Sequence, residues 1–164
     1  MSALASETPA ESCIGFPRPL PKQKTREIVL QMLYALNMDM SGDQGLVSLL
    51  MAQNSVTHKH AFSALDMSRE ILNKSPELDS LISKTIKNTS FDRLNLMEKN
   101  VLRLVLFEYL YLQPISTSVL IAEATRLVKK FSYKEACSFV HAVLNDVFCL
   151  DTPIAEPEHS LMCC

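Results

Sequence analysis

Two clusters of basic residues lie close to aromatic residues, and each could bind a nucleic acid. The first comprises Lys22, Lys24 and Arg26, with Tyr34 farther along the same predicted helix. The second comprises Arg126, Lys129, Lys130 and Lys134, with Phe139 following. Cations hold phosphates and exposed rings stack on unpaired bases, as a single-stranded RNA site requires. The alternative is that the basic residues only form a solvent-exposed helix face and that Phe139 belongs to the core.

Catalytic and metal-binding patterns are weak. Cys137 and His141 are spaced to place two metal ligands on one helix face, but no further ligands are evident. A core thiol and a surface imidazole are therefore the favoured interpretation. The three glycines, Gly15, Gly42 and Gly45, cannot form a phosphate-binding loop. We predict no metal site, no cofactor and no enzymatic activity.

The composition favours one globular domain with a substantial core. The chain has 164 residues, of which 48% are hydrophobic and 21% charged. The N-terminus lacks the basic and apolar regions of a secretory signal. Five cysteines without a CxxC pair predict reduced thiols and a cytoplasmic protein.

The charge is unevenly distributed along the chain. Its formal net value is -2, but residues 1–17 and 149–164 contain five acidic residues and no Lys or Arg. The segment between them carries 16 basic and 13 acidic residues, and is mildly basic. A nucleic-acid site must therefore be a local patch.

Apolar residues at helical spacing predict an all-α body at residues 22–148, with about seven helices. Four prolines in residues 1–21 predict a flexible arm, and residues 149–164 read as a flexible tail. In chain order, the predicted helices cover about residues 22–39, 46–53, 58–73, 76–86, the stretch between Asn95 and Pro114, 117–130 and 136–147. Ser75 and Pro76 have the residue types of a helix start, which separates the third helix from the fourth.

The helix before Pro114 is apolar on almost every side, although Arg103 and Glu108 interrupt it. A membrane span needs about 20 predominantly apolar residues, so a buried helix is the better interpretation. Such a helix must be surrounded by others. Arg103 and Glu108 do not face one another, since they are five residues apart. Each reaches an edge or a partner on another helix, or keeps its stem in the core and its head in water.

Three segments resemble the family of the bacterial antitermination factor NusB. Residues 25–34, TREIVLQMLY, are similar to the family's opening helix. The segment RLNLMEKNVLRLVLFEYLYL is similar to its central helix, and IAEATRLVKKFSYKEACSFVHAVLNDV to its last two. The resemblance covers about residues 22–148, nearly the whole predicted body.

The resemblance implies two small helical bundles stacked around a buried central helix. It also implies that the protein binds boxA-type single-stranded RNA together with NusE, a ribosomal small-subunit protein. The family acts on the RNA polymerase elongation complex with other Nus factors, during ribosomal RNA transcription. By position and charge, the RNA-binding residues would be Lys22, Lys24, Arg26, Tyr34, Lys129, Lys130 and Phe139. Glu98 would lie near the protein partner, and Glu135 near the junction of RNA and partner.

The sequence departs from the family pattern at the arm. The family often has a run of arginines there, whereas this chain has Lys22-Gln23-Lys24, and lysine lacks the planar guanidinium fork. Two rival functions remain open. One is a protein-interaction bundle without RNA binding. The other is the related domain found fused to RNA cytosine methyltransferases, which would need a further catalytic domain.

Overall fold

A computed structural model describes residues 19–39 and 42–151, which fold into six α-helices joined by short connections. The helices are α1 (Lys22–Asn37), α2 (Asp43–Asn54), α3 (His58–Thr85), α4 (Leu96–Tyr111), α5 (Thr117–Phe131) and α6 (Ala136–Asp151). A single 3₁₀ turn, Phe91–Arg93, precedes α4. The described residues contain no β-strand, so the all-α prediction is confirmed with six helices instead of about seven.

The difference in number arises at Ser75 and Pro76, where the predicted helix start is wrong. Both residues lie inside α3, which continues for 28 residues. Pro76 has no N–H to donate to the carbonyl of Leu72, four residues earlier. The hydroxyl of Ser75 donates to that carbonyl at 2.7 Å. The serine therefore satisfies the acceptor that proline leaves free, and the helix passes through.

The six helices form two groups of three. Helices α1, α2 and α3 contact one another, and so do α4, α5 and α6. The groups meet where α4 packs against α1 and α3, and where α6 packs against α3. This arrangement confirms the predicted pair of stacked bundles.

Helix α4 is the structural centre, because it packs against α1, α3, α5 and α6. Asn95 caps its amino end by accepting a hydrogen bond from the N–H of Met97 at 3.1 Å. From Asn100 to Glu108 every residue of the helix is buried. The prediction of an enclosed helix is therefore confirmed.

Arg103 and Glu108, the charged residues in the buried part of α4, each pair with another helix. Arg103 donates to both carboxylate oxygens of Asp79 on α3, at 2.7 Å each. Glu108 accepts from Arg26 on α1, with distances of 2.8 to 3.1 Å. Of the two alternatives that the sequence left open, the partner on another helix is the one found. Each pair fixes the position of α4 against the group of helices formed by α1, α2 and α3.

The predicted arm and tail lie mostly outside the described residues. Helix α6 continues through residues 149–151, which the sequence assigned to the tail. No described helix combines the length and the apolar character that crossing a membrane requires.

We predict that truncating the centre of α4 destabilises the fold strongly. Leu106 has no exposed surface, so Leu106→Ala should lower the free energy of unfolding by about 2–5 kcal/mol. Leu110→Ala is the matched control on the same helix, because Leu110 is 42% exposed. Urea unfolding should show a change within about 0.5 kcal/mol for this control. Equal effects of the two variants would contradict the central role of α4.

Candidate nucleic-acid interface

The first basic cluster begins on α1, whose apolar stripe faces the core. Ile28, Val29, Met32 and Leu33 are buried, which sets the rotation of the helix. Lys22 and Tyr34 remain exposed. Arg26, by contrast, is turned inward by the same rotation and is only 5% exposed.

Arg26 is committed to two carboxylates. Besides its bonds to Glu108, its Nη1 lies 3.2 Å from Glu123 Oε2 on α5. The hydrogen bond to Glu108 raises the pKa of Arg26, against the opposing effect of burial. The structure thus places Arg26 in an ion pair that joins α1, α4 and α5. Its predicted RNA contact stays a prediction, and these two carboxylates would compete with a phosphate for the guanidinium.

The second basic cluster is partly neutralised by Glu27, which is also buried. Arg126 Nη1 donates to Glu27 Oε1 at 2.5 Å, and Lys130 Nζ donates to Oε2 at 2.7 Å. Arg126 also donates to Glu123, with its Nη2 at 3.1 Å from Oε2. We call this network of six charged residues the ion cluster: Arg26, Glu27, Glu108, Glu123, Arg126 and Lys130.

The ion cluster lowers the pKa values of its carboxyl groups. Burial acts to raise the pKa of Glu27, but hydrogen bonds from Lys130 and Arg126 outweigh it, and the pKa is lowered. For Glu123, burial is again outweighed by Arg126, Gln23 and Arg26, so its pKa is also lowered. Both groups are therefore held as carboxylates, and their charges offset the nearby cations.

Four cations of the two predicted clusters are free of carboxylates, as far as the described residues go. Three of them, Lys22, Lys129 and Lys134, are exposed. Lys24 is half-buried, and its Nζ donates to the side-chain oxygen of Asn54 at 3.0 Å, a neutral partner. These lysines form the part of the predicted patch that can still meet phosphates.

The two predicted rings differ in exposure. Tyr34 is 36% exposed at the carboxyl half of α1. Phe139 is half-buried and packs against the core from α6. Tyr34 is therefore the more accessible of the two rings for stacking.

The residues predicted to meet a protein partner are placed differently. Glu135 is exposed in the turn before α6. Glu98 is only 5% exposed, so it presents little surface of its own. A hydrogen bond to Glu98 raises the pKa of Tyr133, whose side chain is 51% exposed. A partner at this position would meet Tyr133 first and Glu98 through it.

Cys137 and His141, the weak metal pattern, make other contacts. The thiol of Cys137 donates to the Thr125 carbonyl at 3.8 Å, and His141 Nδ1 lies 3.3 Å from Asn145 Nδ2. No group of three or more His, Cys, Asp or Glu side chains suited to a metal ion occurs within residues 19–39 and 42–151. His141 and Asn145 instead line a groove of about 620 Å³ between α5 and α6, next to Lys129.

Of the three carboxylates in the ion cluster, the sequence singled out Glu108 but not Glu27 or Glu123. Glu27 follows Arg26 directly, and Glu123 lies three residues before Arg126, a spacing at which helical side chains meet. That spacing signalled the local pair, but not the bridge from Arg126 to Glu27, 99 residues away in the chain. The sequence also contained no sign that Asn54 lies between Lys24 and Gln31, because Asn54 comes from a different helix.

Comparison with known proteins identifies relatives along the whole helical body. The model of the NusB family matches residues 23–148. The transcription antitermination protein NusB of Chlamydia pneumoniae is 55% identical over 148 residues, which cover 90% of this chain and 92% of that protein. The protein of the same name from Chlamydia trachomatis serovar L2 is 48% identical and covers 96% and 97% of the two chains.

Solved structures share the fold. T. maritima NusB has a TM-score of 0.66 and 25% identity, and the match covers 82% of this chain and 94% of that one. A chain in the crystal structure of antitermination factors NusB and NusE in complex with dsRNA also has a TM-score of 0.66, at 23% identity. That match covers 79% of this chain and 96% of the other, and it supports the fold alone.

We predict that the ion cluster makes stability depend on pH. The pKa of Glu27 is lowered from its ordinary value of 4.5, so its contribution is present above that value and is lost as the pH falls through the lowered pKa. Glu27→Gln should be less stable than the wild type at pH 7 and should lose less stability on acidification. Thermal unfolding from pH 7 to about pH 3 measures both effects.

Glu70→Gln is the control for this experiment, since Glu70 is an exposed carboxylate on α3. It should leave the acid-dependent loss of stability close to that of the wild type. If Glu27→Gln has the same pH profile as the wild type, Glu27 is not an energetic part of the cluster.

Proposed function

This chain belongs to the NusB family, and on that premise we propose that it is an RNA-binding transcription antitermination factor. One observation carries the proposal. The match to a relative named as a transcription antitermination protein runs through nearly the whole chain at 55% identity. We infer that the protein binds boxA-type RNA together with NusE, acts on the RNA polymerase elongation complex with other Nus factors, and works in the cytoplasm by binding instead of catalysis.

The placement of the predicted residues supports an RNA surface that draws on α1, α5 and α6. Lys22 and Lys24 lie at the amino end of α1, and Tyr34 is exposed at its carboxyl half. Lys130 reaches the same helix through Glu27, and Lys129 and Phe139 belong to the adjoining α5 and α6. The surface thus combines cations for phosphates with rings for bases, the pairing that single-stranded RNA sites use.

A protein-interaction bundle without RNA binding is the second candidate, and the ion cluster is the observation that favours it. Arg26 and Lys130, two of the predicted RNA contacts, are paired with carboxylates. Counterion release on RNA binding scales with the phosphates that are neutralised, and this cluster leaves few cations free to do so. We therefore expect RNA binding by the isolated chain to be weak, and a partner to extend the basic surface.

We predict that the two lysines of α1 supply phosphate contacts. Replacing Lys22 and Lys24 together with Ala should weaken binding of boxA-like RNA regardless of base sequence. It should also flatten the plot of log affinity against log salt by about 1.4, from about 0.7 per lost phosphate contact on a single strand. Fluorescence anisotropy across a salt series measures both quantities.

Lys84 and Lys87, two exposed lysines at and just beyond the carboxyl end of α3, provide the matched double variant. This control should retain the wild-type affinity and salt slope. Equal losses in the two double variants would show that only overall charge matters. No loss in either would remove this surface from the RNA site and leave the protein-interaction function.

We predict thermodynamic coupling between RNA and NusE. The complex should bind boxA-like RNA more tightly than either protein does, and the RNA should tighten the protein pair by the same factor. Because Glu98 is buried and hydrogen-bonded to the exposed Tyr133, Tyr133→Ala is the probe of the partner contact. It should weaken the protein pair while leaving the weak RNA binding of the isolated chain unchanged.

Calorimetry of the protein pair, with and without RNA, checks this coupling against the anisotropy data. Tyr111→Ala is the control, since Tyr111 is another exposed tyrosine and lies outside the predicted sites. If RNA binds the isolated chain as tightly as it binds the complex, the coupling is absent. If Tyr133→Ala leaves the protein pair intact, the partner contact lies elsewhere.

A further inference from the structure

A row of three polar side chains joins α1 to the carboxyl end of α2. Lys24 Nζ donates to Asn54 Oδ1 at 3.0 Å, and Asn54 Nδ2 donates to Gln31 Oε1 at 2.9 Å. Nδ2 also donates to the carbonyl of Leu50 at 3.1 Å. Asn54 is the last residue of α2, and Ser55 after it adopts left-handed backbone angles. The end of α2 thus places Asn54 between Lys24 and Gln31.

The hydrogen bonds fix the orientation of Asn54. A side-chain amide has two N–H donors, and both donors of Asn54 are used within the protein. Its oxygen is therefore held toward Lys24, whose ammonium group keeps further N–H donors for another acceptor. Asn54 has no donor left for a ligand, so its role is to position its two neighbours.

The side-chain N–H groups of Gln31 donate to no acceptor among the described residues. Its oxygen accepts from Asn54, which turns its nitrogen away from Asn54. Nε2 has no hydrogen-bond partner among residues 19–39 and 42–151, and it is not one of their enclosed polar atoms without a partner. Gln31 is half-buried, so its stem is packed while the amide nitrogen reaches the surface.

Tyr34 follows Gln31 by three residues on the same helix. Side chains at this spacing are neighbours on the helix surface, with about 5–6 Å between their Cβ atoms. Lys24 precedes Gln31 by seven residues, or about 10 Å along the axis at 1.5 Å per residue. A cation, an oriented amide donor and an exposed ring therefore follow one another along α1.

We propose that Gln31 reads a nucleobase that stacks on Tyr34, by donating from Nε2 to an acceptor atom on the edge of that base. Asn54 is the positioning residue that orients both Gln31 and Lys24 toward the same RNA strand. This inference rests on the proposed RNA binding and adds to it a residue that determines base preference. Single-stranded RNA fits the row, because its unpaired bases expose both a face for the ring and an edge for the amide.

A substitution scan of the RNA tests the proposal. The probes are 12-nucleotide single-stranded boxA-like RNAs in which each position in turn carries each of the other bases. Their affinities are measured by fluorescence anisotropy for the wild type, Gln31→Ala and Gln31→Glu. Glutamate has nearly the shape of glutamine, but its carboxylate has no donor.

The wild type should show a position at which the wrong base costs about tenfold in affinity, within the range of a direct base contact. Gln31→Ala and Gln31→Glu should reduce that preference to about twofold or less, at that position alone. Preferences at the other positions should stay unchanged for both variants. The salt slope should stay unchanged for Gln31→Ala, which adds no charge. Tyr34→Ala should weaken binding of the whole panel by about tenfold, since the stacked base is lost.

The variant Asn54→Ala tests whether Asn54 positions Gln31 and Lys24 without contacting the base itself. It should reduce the preference at the same position and also flatten the salt dependence, because Lys24 loses its anchor. Gln53→Ala is the matched control, since Gln53 is the neighbouring exposed amide on α2. Circular dichroism melting curves of all variants show whether α2 still folds without the bond from Asn54 to Leu50.

The outcomes distinguish this inference from the function on which it rests. If the wild type binds none of the RNAs, even at low salt and with NusE present, the proposed function is wrong and the inference falls with it. If the wild type binds and Gln31→Ala keeps every base preference, only the inference is wrong. A uniform loss over all positions would likewise overturn it, because it would assign Gln31 a structural role.

Discussion

The buried ion pair between Arg26 and Glu108 is the interaction on which the arrangement of helices depends. It joins α1, which carries part of the predicted RNA surface, to α4, which packs against four other helices. Breaking a buried pair by removing one partner costs about 3–5 kcal/mol, because the remaining charge is left in an apolar setting. Glu123 extends the pair to α5, so one arginine sets the positions of three helices.

This constraint determines how much of the formal charge is available to a ligand. Arg26, Arg126 and Lys130 each belong to basic clusters in the sequence, yet all three are paired with carboxylates in the fold. The free positive surface is consequently smaller than the composition implies. A protein of this kind would gain affinity for RNA by joining its surface to that of a basic partner, more than by its own charge.

The ion cluster also explains why the predicted surface is divided into parts with different roles. Glu27 and Glu123 hold α5 against α1, which gives the exposed residues of both helices a defined spacing. Beside this rigid part, Lys24 and Gln31 are oriented by neutral hydrogen bonds to Asn54. Neutral partners leave the lysine charged toward solvent, whereas carboxylate partners would have offset its charge.

The sequence by itself determined the helical class and the enclosed central helix. Both features follow from the local periodicity of apolar residues. It also identified Lys22, Lys24 and Tyr34, which the fold leaves wholly or partly exposed, because they lie outside the apolar stripe of α1.

Tertiary structure alone decided that α3 runs through Pro76, where the Ser75 hydroxyl donates to the Leu72 carbonyl. It alone decided that Arg26 points inward, that Arg126 crosses to Glu27 and that Asn54 meets Gln31, because these pairs join residues 23 to 99 positions apart. Charge and polarity can be read from a sequence, but which charges cancel depends on which helices pack together.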